Sequence, residues 1–156
     1  MYNRHGAPVR YGYRYDHENA KINEGVFAEW ANVHDHFYGT SKETLNSFWK
    51  QGKHVLLDID VQGAESLRKA FPEKCFTVFV SPPSLEVLEQ RLRGRGTETE
   101  EAIQKRMSNA RHEMSHLEKF DFQVVNDDFN STLKKMEEEI TSFMSQLEAG
   151  QWQKHQ

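Results

Sequence analysis

Three short apolar runs constrain the fold of this chain more than any other feature. They are HVLLDID (54–60), CFTVFV (75–80) and FQVVN (122–126). Each is nearly continuous in apolar residues instead of alternating, which is the pattern of strands buried on both faces of a parallel sheet. The intervening stretches carry helical periodicity. Ser41 opens a helix on which Leu45, Phe48 and Trp49 share a face, and Gly52 closes it. Val61 to Phe71 reads as a second helix, stopped by Pro72, and Ser84 caps a third running to Leu92. Thr97 and Glu100 form a T-x-x-E capping box, after which Ile103, Met107, Ala110, Met114 and Leu117 line one face of a long helix. Leu133 to Met144 is a last amphipathic helix, and Asn19 to Val33 reads as a short helix followed by a strand, FAEWANV. Strands alternating with helices predict an α/β layered fold around a parallel sheet.

The bulk numbers narrow the function classes. A chain of 156 residues fits one domain. Its apolar content of 37% stays below the usual 45–50% or so even after trading Tyr for Gly, so a small core with charged helix faces is expected. A net charge of −4 argues against sequence-independent nucleic-acid binding, though Arg91, Arg93, Arg95 and Arg106 can form a local basic pocket. No apolar run approaches the roughly 20 residues of a membrane span, and the first 17 residues contain no apolar signal core. A cytoplasmic setting is expected, with no membrane partner. The single cysteine, Cys75, reads as a buried inert thiol.

Three blocks carry polar chemistry. In the first, Glu29 stands with Tyr38-Gly39-Thr40-Ser41. A carboxylate can accept both adjacent donors on the Watson–Crick edge of guanine, and a hydroxyl can donate to the guanine carbonyl. The plain alternative is a surface glutamate beside a turn. In the second, Asp58 and Asp60 close LLDID, where a spacing of two puts both on one side of a strand. They suit orientation of a base, a water or Mg²⁺, or simply the N-cap of the next helix. In the third, Arg91, Arg95 and Arg106 suit charge stabilisation on a transferring phosphoryl, or are solvated helix cations.

Together these blocks resemble the guanylate kinase family. FAEWANVHDHFYGTSKETL is similar to its guanine-binding stretch, LLDIDVQGAESLRK to the following strand and turn, RLRGRGTETEEAIQKRM to its lid, and FDFQVVNDDF to its last core strand and adenine-side loop. The likeness runs from about Gly25 to Ile140, three quarters of the chain. It implies an incomplete P-loop-kinase-type parallel sheet with flanking helices, a remnant GMP-binding subdomain and a helical lid. The implied organisation is one domain over 1–150: a GMP-binding part at about 1–50, core at 51–90 and 118–146, lid at 91–117, and a frayed tail at 147–156. Glu29, Tyr38 and Thr40 would bind GMP, with Tyr38 on its phosphate. Asp58 and Asp60 would lie beside the guanine and the transfer site. Arg91, Arg95 and Arg106 would meet the phosphates, and Asn126 would sit near adenine. The family reaction moves the γ-phosphoryl of Mg²⁺–ATP to GMP, giving ADP and GDP.

Parts of the family pattern are unmatched. The phosphate loop G-x-x-x-x-G-K-[ST] does not occur: Gly52-Lys53 is followed by His54, and no glycine stands five residues before Gly52. Of the arginine stretch that grips GMP phosphate only a trace remains, with Tyr11 in VRYGY matching a phosphate-binding tyrosine and Arg4 loosely matching an arginine. The resemblance therefore implies a truncated form with little activity alone and weakened ATP binding. The alternative is a non-catalytic module binding GMP, a phosphopeptide or a protein. In the family's strand order, 2-3-1-4-5, the three apolar runs are strands 3, 4 and 5. The sheet then lacks its middle strand, so marginal stability and self-association, or a complementing chain, are expected. Finally, His112-Glu113-Met114-Ser115-His116 matches H-E-x-x-H. Without an obvious third ligand, opportunistic metal binding is the better reading than zinc catalysis, and no metal site is assigned.

Overall fold

The computed structural model describes residues 25–33 and 36–152, with backbone alone for 31–33 and 36–38. The helix expected ahead of FAEWANV, and Arg4 and Tyr11, lie outside the described residues. Contacts divide the chain into two compact units, Met1–Phe71 and Pro72–Gln156.

In the first unit β1 (Phe27–Val33) and β2 (His36–Ser41) form an antiparallel hairpin. Phe27 pairs with Ser41 but Glu29 pairs with Thr40, so a bulge at Ala28 resets the register. A bulge of this kind re-aims the side chains beyond it, and here it puts Glu29 and Thr40 side by side on one face. Gly39 is obligatory at this crossing. A Cβ there would lie 2.7 Å from the Glu29 carbonyl oxygen and 3.0 Å from the Trp30 Cβ.

Ser41 then caps α1 (Lys42–Lys50), its Oγ accepting from the Thr44 N–H at 3.4 Å. The helix stops as the sequence predicts. Gly52 takes φ +67°, its N–H bonds the Trp49 carbonyl, and Lys53 N–H bonds that of Phe48, which together make a Schellman motif.

The run HVLLDID departs from expectation. It forms no strand ladder, and Leu56 is 75% exposed. Apolar content makes a segment fit to be a buried strand, but the ladder itself needs a neighbouring backbone, and no described residue supplies one. The segment ends in α2 (Val61–Ala70), which Asp60 caps through an Oδ1 contact of 2.7 Å with Gly63 N–H. Ala64 and Leu67 are buried where α2 packs on β1, and the Trp49 and Phe71 rings meet edge to face at 4.7 Å.

The second unit holds the parallel pair. β3 (Val78–Ser81), shorter than the apolar run predicts, lies beside β4 (Phe122–Val125). Two polar staples fix the ends. Asp121 accepts from both the N–H and the hydroxyl of buried Thr77, at 2.8 and 2.6 Å, and Asn126 N–H reaches the Ser81 carbonyl at 2.7 Å. Cys75 lies outside the strand and is half-buried, not buried as expected.

Between the strands run α3 (Leu85–Gly94), capped by Ser84, and α4 (Glu100–Met114). The cap of α4 is Thr99, whose Oγ1 accepts from Ala102 N–H, and not the predicted Thr97. Leu92, Ile103 and Met107 form a core between the two helices, joined by Leu85 and Leu88. The final helix, α5 (Phe129–Glu148), is longer than the 133–144 expected because Asp128 caps it four residues earlier, and Leu133 is largely exposed. Of the tail expected to fray over 147–156, residues 153–156 lie outside the described residues. Trp152 packs its ring against Phe143 at 4.8 Å and Phe76 at 5.6 Å.

Substituting Gly39→Ala is expected to destabilise the chain by about 1–3 kcal/mol, the usual cost of forcing a methyl into closed packing. Urea denaturation of both proteins measures it. An unchanged midpoint would show that the hairpin spreads without cost.

Candidate functional site

The hairpin register and the α2 cap converge on one carboxylate. Glu29 is 8% exposed. Its Oε1 accepts a 2.6 Å hydrogen bond from the Thr40 hydroxyl. Its Oε2 faces the first turn of α2, where a Cβ on Gly63 would come within 3.4 Å. Asp60 holds that turn through its cap on Gly63, so the carboxylate looks onto the N-terminal end of a helix, where the backbone dipole favours negative charge. Burying a carboxylate is costly unless hydrogen bonds and dipoles compensate, and here both are present.

Thr40 has a single hydroxyl proton, and it points at Glu29. In this arrangement that proton is committed to the carboxylate. What remains for a ligand are its lone pairs. Ser41, also read with this block, is buried and spends its oxygen on capping α1. Tyr38 pairs with Ala31 in the hairpin ladder. Gly63 was missed by the sequence reading. The available signal was a glycine in the first turn of a helix, where it costs helix stability and so marks a close approach. Asp58 and Asp60 are both exposed and flank half-buried Ile59, on a segment with no ladder over 54–60.

In the second unit the arginines meet protein acceptors. Arg91 donates to the backbone oxygens of Asn126 at 2.7 Å and Asp127 at 3.2 Å, joining α3 to the loop that carries the predicted adenine-side residue. Arg106 pairs with Glu98 at 2.7 Å. Arg95 is the exposed C-cap of α3. Arg93, grouped with these as a pocket cation, is instead committed to structure. It bridges Glu89 at 2.8 Å and Glu100 at 2.5 Å, tying α3 to the start of α4. Glu100, and then Glu89, raise the Arg93 guanidinium above its ordinary range. Arg93, with help from Gln104, holds the Glu100 carboxyl down to about 2.

The family model described as guanylate kinase matches residues 15–143. The chain belongs to the guanylate kinase family. The guanylate kinase of Idiomarina loihiensis is 50% identical over 117 residues, which cover 75% of this chain and 55% of that protein. That of Rickettsia typhi is 44% identical over 135 residues, covering 86% and 68% respectively. The crystal structure of guanylate kinase from Anaplasma phagocytophilum is similar at a TM-score of 0.62 and 26% identity, over 86% of this chain and 70% of that one. The chain thus spans little more than half the length of the first relative. The fold is the family's α/β type, present as a parallel strand pair with flanking helices. No described helix is long and apolar enough to cross a membrane.

The Arg93–Glu100 pair carries a pH signature. The folded-state value of Glu100 lies below its ordinary 4.5, so its stabilising contribution is present above about 4.5 and is lost as pH falls toward about 2. The pair is exposed and screened, so the effect is small. Thermal melts of the parent and a Glu100→Gln variant are expected to differ near neutrality and to converge as pH falls through that window. A gap that persists at the acid end would show that Glu100 acts by some other contact.

Proposed function

We propose that these residues supply the guanine-recognition site and the lid of the family's transfer from ATP to GMP, which yields ADP and GDP. The observation that carries this reading is the Glu29 carboxylate, buried, oriented by Thr40 and backed by the Asp60–Gly63 turn. Guanine presents two adjacent N–H donors, and a fixed carboxylate accepts both. Adenine lacks that pair, so it would leave a buried acceptor unsatisfied, which costs about 1–3 kcal/mol. Thr40 orients the carboxylate, and its lone pairs are free to accept from the guanine amino group. Tyr38 and Tyr11 are assigned to the GMP phosphate on the family likeness alone, as Asp58 is to the neighbourhood of the base.

Arg91, Arg95 and Arg106 are the proposed phosphate cations of the lid. For Arg91 and Arg106, phosphate oxygens would replace the carbonyls of Asn126 and Asp127 and the carboxylate of Glu98. Asn126 is the proposed adenine-side residue. Mg²⁺ is a poorer fit to the residues at hand. The 156 residues contain no phosphate-loop lysine and hydroxyl, and among the described ones no three His, Cys, Asp or Glu side chains group to hold a metal ion. Binding of GMP is therefore expected to exceed binding of ATP.

Two measurements test the proposal. In equilibrium binding, Glu29→Ala is expected to abolish any preference for GMP over AMP, whereas selectivity unchanged by the substitution would refute the assignment. In a coupled assay of ADP release, the 156-residue chain alone is expected to show no detectable turnover. Losing one preorganised donor costs about 10²–10³ in rate, and the phosphate loop would supply several. A rate near 10 s⁻¹, roughly the enzyme median, would sink the expectation.

A further inference from the structure

The guanylate kinase reading leaves one motif unused, the histidine pair at the C-terminal end of α4. We propose that His112 and His116 form a two-point chelate for a borderline divalent transition-metal ion, with Cu²⁺ bound ahead of Ni²⁺ and Zn²⁺ and solvent completing the coordination.

The two rings lie one helical turn apart, with centroids separated by 4.7 Å and planes inclined at 62°. With metal–nitrogen bonds of about 2.0–2.1 Å and an angle of about 90–109° at the metal, two ligating imidazole centroids stand roughly 4.5–5.2 Å apart. The observed separation falls inside that range. Among these ions Cu²⁺ is the one that nitrogen sites generally hold most tightly, which sets the expected order.

The protonation of His116 is set by its neighbours. Its Nδ1 lies 2.9 Å from the His112 carbonyl oxygen, and Ser115 Oγ donates its only proton to that same oxygen at 2.6 Å. A carbonyl only accepts, so the contact puts a proton on Nδ1 and leaves the lone pair of the neutral ring at Nε2. Ser115 Oγ, at 3.2 Å from the same nitrogen, supports it. A backbone acceptor fixing one ring nitrogen while the other is left for metal is the usual supporting arrangement of a ligating histidine.

The location also favours a cation. α4 ends at Met114, so both histidines lie at the negative end of the helix dipole. His112 is exposed and His116 half-buried, so solvent reaches the pair. Glu113 is one residue on and points about 100° around the helix, away from the chelate. Among the described residues no third His, Cys, Asp or Glu joins to make a larger group. The site is therefore a chelate that holds an ion and not the zinc centre of a hydrolase.

The test uses the full chain, stripped of metal and titrated with Cu²⁺ by calorimetry and electron paramagnetic resonance. Parallel variants are His112→Asn, His116→Asn and, as a control, the double change at His34 and His36. One equivalent of Cu²⁺ with two-nitrogen coupling is expected. Either single variant should lose at least about tenfold in affinity, as loss of even an outer-shell partner costs 10–100-fold, together with one coupled nitrogen. The control should bind like the parent. Affinity within about twofold of the parent in either single variant, or loss confined to the control, would overturn the proposal. Diethylpyrocarbonate mapping of the unsubstituted chain gives a readout independent of variant folding. Cu²⁺ is expected to protect His112 and His116, and modification of both at the metal-free rate would likewise overturn the assignment.

Discussion

The first unit depends on satisfying one buried carboxylate. Glu29 is kept out of water by the hairpin and by α2, and every local feature around it answers that demand. The bulge at Ala28 brings Thr40 opposite, and the Thr40 hydroxyl takes one carboxylate oxygen. Gly39 lets the two strands approach, and Gly63 lets the helix turn come up to the other oxygen. Two glycines, a threonine and a helix cap thus serve one charge.

The second unit is organised by polar staples rather than by a large core. A two-stranded parallel pair buries little, and its ends are held by the Thr77–Asp121 contacts and by the bond from Asn126 to Ser81. The α3–α4 pair has its own small core of Leu92, Ile103 and Met107, with the Arg93 bridge above it. Because Arg93 is neutralised by two carboxylates, it is the guanidinium of this group least available to a ligand. Arg91 meets the Asn126 and Asp127 carbonyls and Arg106 meets Glu98.

Much of this was legible in the sequence. Caps are local, and Ser41, Asp60 and Ser84 stand where side-chain oxygen and helical periodicity coincide. The hydrophobic face of α4, with Ile103 and Met107 buried on it, follows from spacing alone. The misplaced cap of α4 is instructive. Thr97 satisfied the T-x-x-E pattern, but Glu100 is drawn to Arg93, and Thr99 caps in its stead. A contact between helices thus overrode a local signal. Trp152 was unreadable for the same reason, since its partner Phe76 is remote in sequence.

The amino-acid order by itself determined the α/β class, the helix positions and the family likeness. All of these rest on periodicity, capping and residue chemistry within short windows. Tertiary structure alone decided where the proton of Thr40 goes, why position 39 must be glycine, that Arg93 bridges two helices, and that HVLLDID has no ladder with any described residue. The physical reason is that a hydrogen bond, a close approach or a strand pairing belongs to two partners at once. The sequence states what each can do, and only the fold states which partner it meets.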